Sequence, residues 1–229
     1  MIRRLDHGGD APYARDMGAQ PRDVACAAIE RRITGGELPA GEEVDELRLA
    51  VELGVDRGTV REALACLVRD GLVQAQGDGF VVAPLDESWL REAYPIALLL
   101  EGLAVRSGPQ FDEEALDRLR AINAELRELG PRDPRLAAER DFDFHDVLVA
   151  NCDNERLMAT VRPMKRMLVR YECAAMAEEG VPLASASMHD RIIDLLEAGD
   201  REGAARAVEE NYRQAFPWIL ARVAAPARD

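Results

Sequence analysis

The stretch "DFDFHD", residues 141–146, places a carboxylate four residues before one of the three histidines in the chain. Residues four apart on a helix share a face with Cβ atoms about 6 Å apart, so Asp141 and His145 can grip one cation between them. A second histidine, His189, precedes an apolar stripe of Ile192, Ile193, Leu195 and Leu196, so a separate helix must carry it to the pair. The same residues also suit a plainer arrangement, a buried imidazole hydrogen-bonded to a carboxylate with no metal. A different chemistry is legible at Arg57 and Arg61, one helical turn apart behind Asp56, a good N-cap. A guanidinium bonds guanine O6 and N7 bidentately or clamps a phosphate, and Thr59 with the helix N-terminus adds donors suited to phosphate.

The elements that must position these groups follow from periodicity. "RDVACAAIERRI" and "DELRLAVEL" read as helices closed by Gly35, Gly36 and Gly54, and "RGTVREALACLVRD" as a third with Val60, Leu64, Leu67 and Val68 inward. Two β-prone runs, 72–75 and 80–82, joined at "QGDG", predict a hairpin. That order is the order of a winged helix-turn-helix, whose third helix enters the major groove. After Pro84 the pattern is helical, with helices expected at 87–107, 113–129, 134–150, 155–177, 187–198 and 201–223, and with kinks at Pro95 and Pro163. The expected class is mainly α: a mobile arm at 1–20, a winged helix-turn-helix at 21–85, and an all-α antiparallel bundle at 86–229 for effector binding and dimerisation.

Composition limits the functions available. The chain has 229 residues, 48% of them hydrophobic, and neither a secretory signal nor a run long enough to span a bilayer, so a cytoplasmic protein with no membrane partner is expected. Cys26, Cys66, Cys152 and Cys173 lie too far apart in sequence for a zinc-knuckle spacing, and reduced packed thiols are expected. The net charge of −14 opposes non-specific binding to nucleic acid, but a local arginine patch can still read a duplex. Between Pro21 and Leu85 the balance is seven basic residues against twelve acidic. Asp78 in the wing and Asp56 beside Arg57 bring negative charge near phosphates, where one repulsion costs on the order of a kcal/mol.

"ITGGELPAGEEVDELRLAVELGVDRGTVREALACLVRDGLVQAQGDGFVVAPL" resembles the DNA-binding domain of GntR-family transcription regulators almost position for position. The bundle resembles the FadR-like branch with its FCD effector domain, through Leu100, Glu101 and Ala104, then Asp141, Phe144 and His145, then Ser185 and His189, then Gly199, Asp200 and Ala204. The resemblance runs from about residue 22 to 222. It implies operator contacts from Arg57, Thr59, Arg61 and Gly79 of the wing, and a divalent metal (Zn, Ni or Mn) on Asp141, His145 and His189. The fourth ligand position of the pattern, usually histidine, is Asn211, a weaker donor.

Ala97 stands where the family often has an arginine for the effector, so another cation is needed, and Arg162, Lys165, Arg166, Arg170 or Tyr171 is the expected source. Together these point to a homodimeric regulator, a repressor by resemblance, that binds double-stranded operator DNA and a small carboxylate effector, and not to an enzyme. The alternatives are a metal-free pocket for a lipid-like effector, and a metal-dependent hydrolase drawing its base from Asp143 or Asp146.

Overall fold

The computed structural model of the protein describes residues 20–178 and 180–224. All of the expected arm except Gln20 lies outside the described residues. Among them are nine α-helices and one two-stranded sheet, so the class is mainly α, with a winged helix followed by a helical bundle.

Helix α1 (Pro21–Thr34) starts on proline, whose missing N–H is no loss in a first turn, and stops at Gly35. In α2 (Glu46–Leu53) the Asp45 side chain accepts from the Leu47 and Arg48 amides, and Gly54 closes the helix in the left-handed region at φ 66°. In α3 (Arg57–Arg69) the Asp56 carboxylate caps the Thr59 amide, and Val60, Ala63, Leu64 and Leu67 are buried. Strands β1 (Val73–Gln76) and β2 (Gly79–Val82) pair antiparallel from Val73↔Val82 to Gln76↔Gly79, and a bridge from Glu43 to Val81 widens the wing. Gly77 opens the hairpin turn at φ 58°, which a side chain would resist. Ile29, Ile33, Leu49, Leu64, Leu67 and Val82 form the core of this part.

The bundle follows in α4 (Glu87–Ser107), α5 (Glu113–Leu129), α6 (Pro134–Ala150), α7 (Glu155–Met176), α8 (Val181–Glu197) and α9 (Arg201–Ala224). Helix α4 lies against α9 and α7, α5 against α6 and α8, and α8 against α9. Tyr94, Leu119, Phe144, Leu168, Ile192 and Val208 fill the space between them. Pro95 and Pro163 lie inside continuous helices. Helix α8 begins at Val181, six residues before the expected start, because Pro182 sits in the first turn, where proline is tolerated, and does not break the helix. The earlier start puts Ser185 on the helix, one turn before His189. The four cysteines are free thiols, and no helix among the described residues is long and apolar enough to cross a membrane.

Helix α7 is the main contact between the two parts. Arg166 Nε lies 3.3 Å from Glu30 Oε1 of α1, and Met167 packs against the first core. The Arg170 guanidinium donates to the Ala83 carbonyl, and the Tyr171 hydroxyl accepts from the Asp86 amide at 3.1 Å while its ring stacks on Trp89. Leu64 has no exposed surface and Leu47 is 63% exposed, so the two leucines should respond oppositely to truncation. Leu64→Ala should cost about 2–5 kcal/mol in urea denaturation, and Leu47→Ala less than about 0.5 kcal/mol.

Candidate nucleic-acid interface and candidate metal centre

Arg57 and Arg61 project from the start of α3, 57% and 41% exposed. A buried carboxylate holds both, since Arg57 Nε donates to Glu46 Oε2 at 2.7 Å and Arg61 Nη1 to Glu46 Oε1 at 2.5 Å. Burial pushes the Glu46 carboxyl up, but the two guanidinium hydrogen bonds outweigh it and hold the group below the usual carboxylate range. Arg61 Nη1 also donates to the Asp78 carbonyl at 3.1 Å, and its guanidinium lies over the Phe80 ring at 5.2 Å, tying the helix to the wing. The two arginines are thus aimed before any partner arrives, which lowers the entropy lost on contact.

Gly79 begins β2 beside the exposed wing tip at Asp78. Thr59 is engaged differently from the sequence expectation. Its hydroxyl donates to Asp56 Oδ2 at 2.7 Å and its amide to Asp56 Oδ1 at 3.0 Å, so both donors go to the acidic cap.

In the bundle, α6 presents Asp141 and His145 and α8 presents His189, all buried, with ligand atoms within 4.8 Å of one another. The hydrogen bonds around the rings settle their tautomers. Asn123 Nδ2 donates to the Ala186 carbonyl at 2.9 Å and to Asp190 Oδ1 at 2.7 Å, so its Oδ1 faces His189 Nδ1 at 3.1 Å and must accept from it. That leaves the His189 Nε2 lone pair toward Asp141 Oδ1, 3.5 Å away. His145 Nδ1 is bonded to Glu101 Oε2 at 2.8 Å, so Nε2 is the nitrogen left to the cluster. An imidazole whose far nitrogen is bonded to a carboxylate or an amide is oriented as a metal ligand. Ser185 donates to Asp141 Oδ1 at 2.5 Å, and Phe144 stacks on His189 with centroids 3.6 Å apart.

Behind His145 lies a second tier of charge. Glu101 has no exposed surface; it accepts from Tyr212 at 2.7 Å and lies 3.2 Å from Lys165 Nζ. Burial alone would raise its carboxyl, but Lys165, His145 and Tyr212 lower it to about 2. Burial disfavours a charge on His145, yet the Glu101 carboxylate prevails and raises its pKa. Burial, then the nearby His145 and Arg127, lower His189 well below the ordinary imidazole value, so it stays neutral and able to ligate.

Asp141, His145, Ser185, Asn211 and Tyr212 line a cavity of about 100 Å³ with Glu172, walled by Tyr94, Met176, Val181, Met188, Trp218 and Ile219. Asn211 therefore faces the same space as Asp141 and His145, while His189 lies outside the cavity lining. Among the described residues no lysine or arginine lines this cavity. The effector cations expected from the sequence lie elsewhere: Arg162 is exposed, Arg166 pairs with Glu30, and Arg170 and Tyr171 hold the segment after the wing. Lys165 lies behind the cavity, on Glu101. Asp143 pairs with Arg140 and Asp146 is exposed, so neither potential hydrolytic base reaches the cluster.

Glu46, Asn123 and Glu172 were not expected at either site, and Lys165, expected as an effector cation, pairs instead with Glu101. A signal existed for Lys165, the only lysine in an arginine-rich chain, which is 4% exposed. Glu46 and Asn123 look like ordinary helix-surface residues in sequence, and only the packing of α2 on α3 and of α5 on α8 reveals their roles.

The known proteins to which the chain is similar share its order of a winged helix followed by a helical domain. Residues 21–82 match the bacterial regulatory proteins of the gntR family, and residues 92–214 match the FCD domain. Over 204 residues the chain is 31% identical to a probable D-xylose utilization operon transcriptional repressor of Paenarthrobacter nicotinovorans, covering 88% of each chain. It is 23% identical to the gluconate operon transcriptional repressor of Bacillus licheniformis, over 82% of this chain and 80% of that one. Among solved structures, E. coli McbR/YncC shares the fold with a TM-score of 0.78 at 18% sequence identity, covering 88% of this chain and 98% of that one. With its winged helix matching one family description and its helical bundle the other, the chain belongs to the GntR family of bacterial transcription regulators and carries an FCD domain.

Proposed function

We propose that this regulator is a cytoplasmic homodimer that binds a pseudo-palindromic operator as a repressor and releases or tightens on it when a small carboxylate effector enters the bundle at a divalent metal. Residues 21–85 serve as the DNA-binding unit and residues 86–229 as the effector-binding and dimerisation unit. Two copies would place two α3 helices on successive half-sites, doubling the contacts. In each half-site Arg57 and Arg61 read bases or phosphates while Glu46 keeps them extended, and the Gly79 wing lies along the backbone. Thr59 contributes through the lone pairs of its hydroxyl, because Asp56 holds its donors.

The observation that supports the effector reading is the cluster of Asp141, His145 and His189, two of whose members, Asp141 and His145, line the cavity. Glu101, Asp141 and Glu172 bring three carboxyl groups around Lys165 and His145, and a further cation would be favoured beside the raised Asp141 and Glu172 carboxyls. A divalent ion of the zinc, nickel or manganese kind, held by Asp141, His145 and His189 with Asn211 as a fourth oxygen donor, would supply that positive charge and bind a carboxylate. The residues present fit such an ion, and the absence of a lining arginine or lysine leaves it as the anchor for an acid. The names of the relatives, which concern D-xylose and gluconate operons, are compatible with a small polar effector.

Helix α7 offers a route from cavity to DNA. Glu172 lines the cavity, while the neighbouring Tyr171 and Arg170 hold Asp86 and Ala83 at the exit of the wing. An effector that shifts α7 would move the attachment of the winged helix, with a coupling of ~1–3 kcal/mol.

On operator fragments selected from a random DNA pool, Arg57→Ala and Arg61→Ala should each weaken binding by about tenfold or more in gel shift, and binding equal to wild type would sink the recognition assignment. Protein purified without a tag should hold about one divalent ion per chain by elemental analysis, and His189→Ala should hold little. A metal-free wild type that still responds to its effector would favour the lipid-like alternative instead.

A further inference from the structure

Glu172, half-buried in the cavity wall, differs from the two buried carboxylates Glu101 and Asp141. Glu101 has three partners and Asp141 accepts from Ser185, but Glu172 makes no hydrogen bond or ion pair among the described residues. It stands on α7 in the wall of the cavity that Asp141, His145 and Asn211 also line. Burial, then the charges of Asp141 and Glu101, push its carboxyl up to about 7, and the more distant His145 and Lys165 offset this only in part. An unmet polar group facing a cavity is costly unless the ligand supplies its partner.

Resting on the effector reading above, we propose that Glu172 is the specificity residue of the cavity and selects an acid carrying a hydrogen-bond donor, a hydroxyl or an ammonium group, on its carbon chain. The carboxylate end of such a ligand turns to the cluster of Asp141, His145 and His189, and its donor end turns to Glu172. An unsubstituted aliphatic acid would leave Glu172 unpaired and bring a second negative group toward it, in a cavity lined by no lysine or arginine to offset either charge. The cavity volume of about 100 Å³ sets the size, since a cavity of about 150 Å³ holds a ligand such as benzene. The open mouth beside Trp218 and Gln214 admits a chain a few atoms longer.

Matched acids of two lengths test this by calorimetry on the full zinc-loaded protein: butanoate, 4-hydroxybutanoate and 4-aminobutanoate, then hexanoate, gluconate and 6-aminohexanoate. Wild type should bind a hydroxyl- or amino-bearing member about tenfold or more tightly than the unsubstituted acid of the same length. Glu172→Leu should erase that preference while still binding zinc and the unsubstituted acid. Glu172→Gln should keep a preference for hydroxyl and lose one for ammonium, which tells the two donor types apart. Equal binding of substituted and unsubstituted acids by wild type, or a preference that survives in a folded Glu172→Leu, overturns the role of Glu172 and leaves the carboxylate effector standing. If zinc binds and none of the six acids does, the carboxylate effector itself is wrong, and Glu172 loses its proposed ligand with it.

Discussion

Glu101 sits in the middle of the bundle with no exposed surface, and a carboxylate cut off from water must find its compensation in the protein. It does so from three other helices. Lys165 comes from α7, His145 from α6 and Tyr212 from α9, all converging on the two oxygens that α4 delivers. Removing one partner of such a buried set costs on the order of 3–5 kcal/mol, so the registry of four helices is tied to one acid. The same contact fixes which nitrogen of His145 carries the proton. Nε2 is then the nitrogen His145 can offer to the cluster it forms with His189 and Asp141.

A parallel arrangement operates in the winged helix. Glu46 is buried at the foot of α2 and draws Arg57 and Arg61 together, leaving their outer edges exposed. In both places a buried acid holds a candidate site residue from behind and restricts its rotamers. Helix α7 connects the two arrangements, because its Lys165 reaches Glu101 while Arg166, Arg170 and Tyr171 meet α1 and the segment after the wing.

The helices, the hairpin and the pairing of Asp141 with His145 were legible in the chain because each rests on local rules: apolar periodicity, glycine stops, and the four-residue repeat of one helical face. Local rules failed where tertiary context competed with them. Pro182 reads as a loop marker, yet it occupies the first turn of α8, where it costs nothing, and Ser185 thereby joins the cluster. Arg162, Arg166 and Arg170 share α7 with the cavity-lining Glu172, but a helix has more than one face, and packing against α1 and the segment after the wing turned Arg166 and Arg170 toward the first domain while Arg162 remained exposed.

By itself, then, the sequence determined the order of elements, the family, and which residue types were available for DNA and for a cation. These are properties of neighbours along the chain, within a few turns of one another. Which acid lies behind which base was decided only by the tertiary structure, because Glu101 meets His145 across 44 residues and Tyr212 across 111. Solvent exclusion gives those distant pairings their force, and the same packing leaves Glu172 in the cavity wall with no hydrogen-bond partner among the described residues.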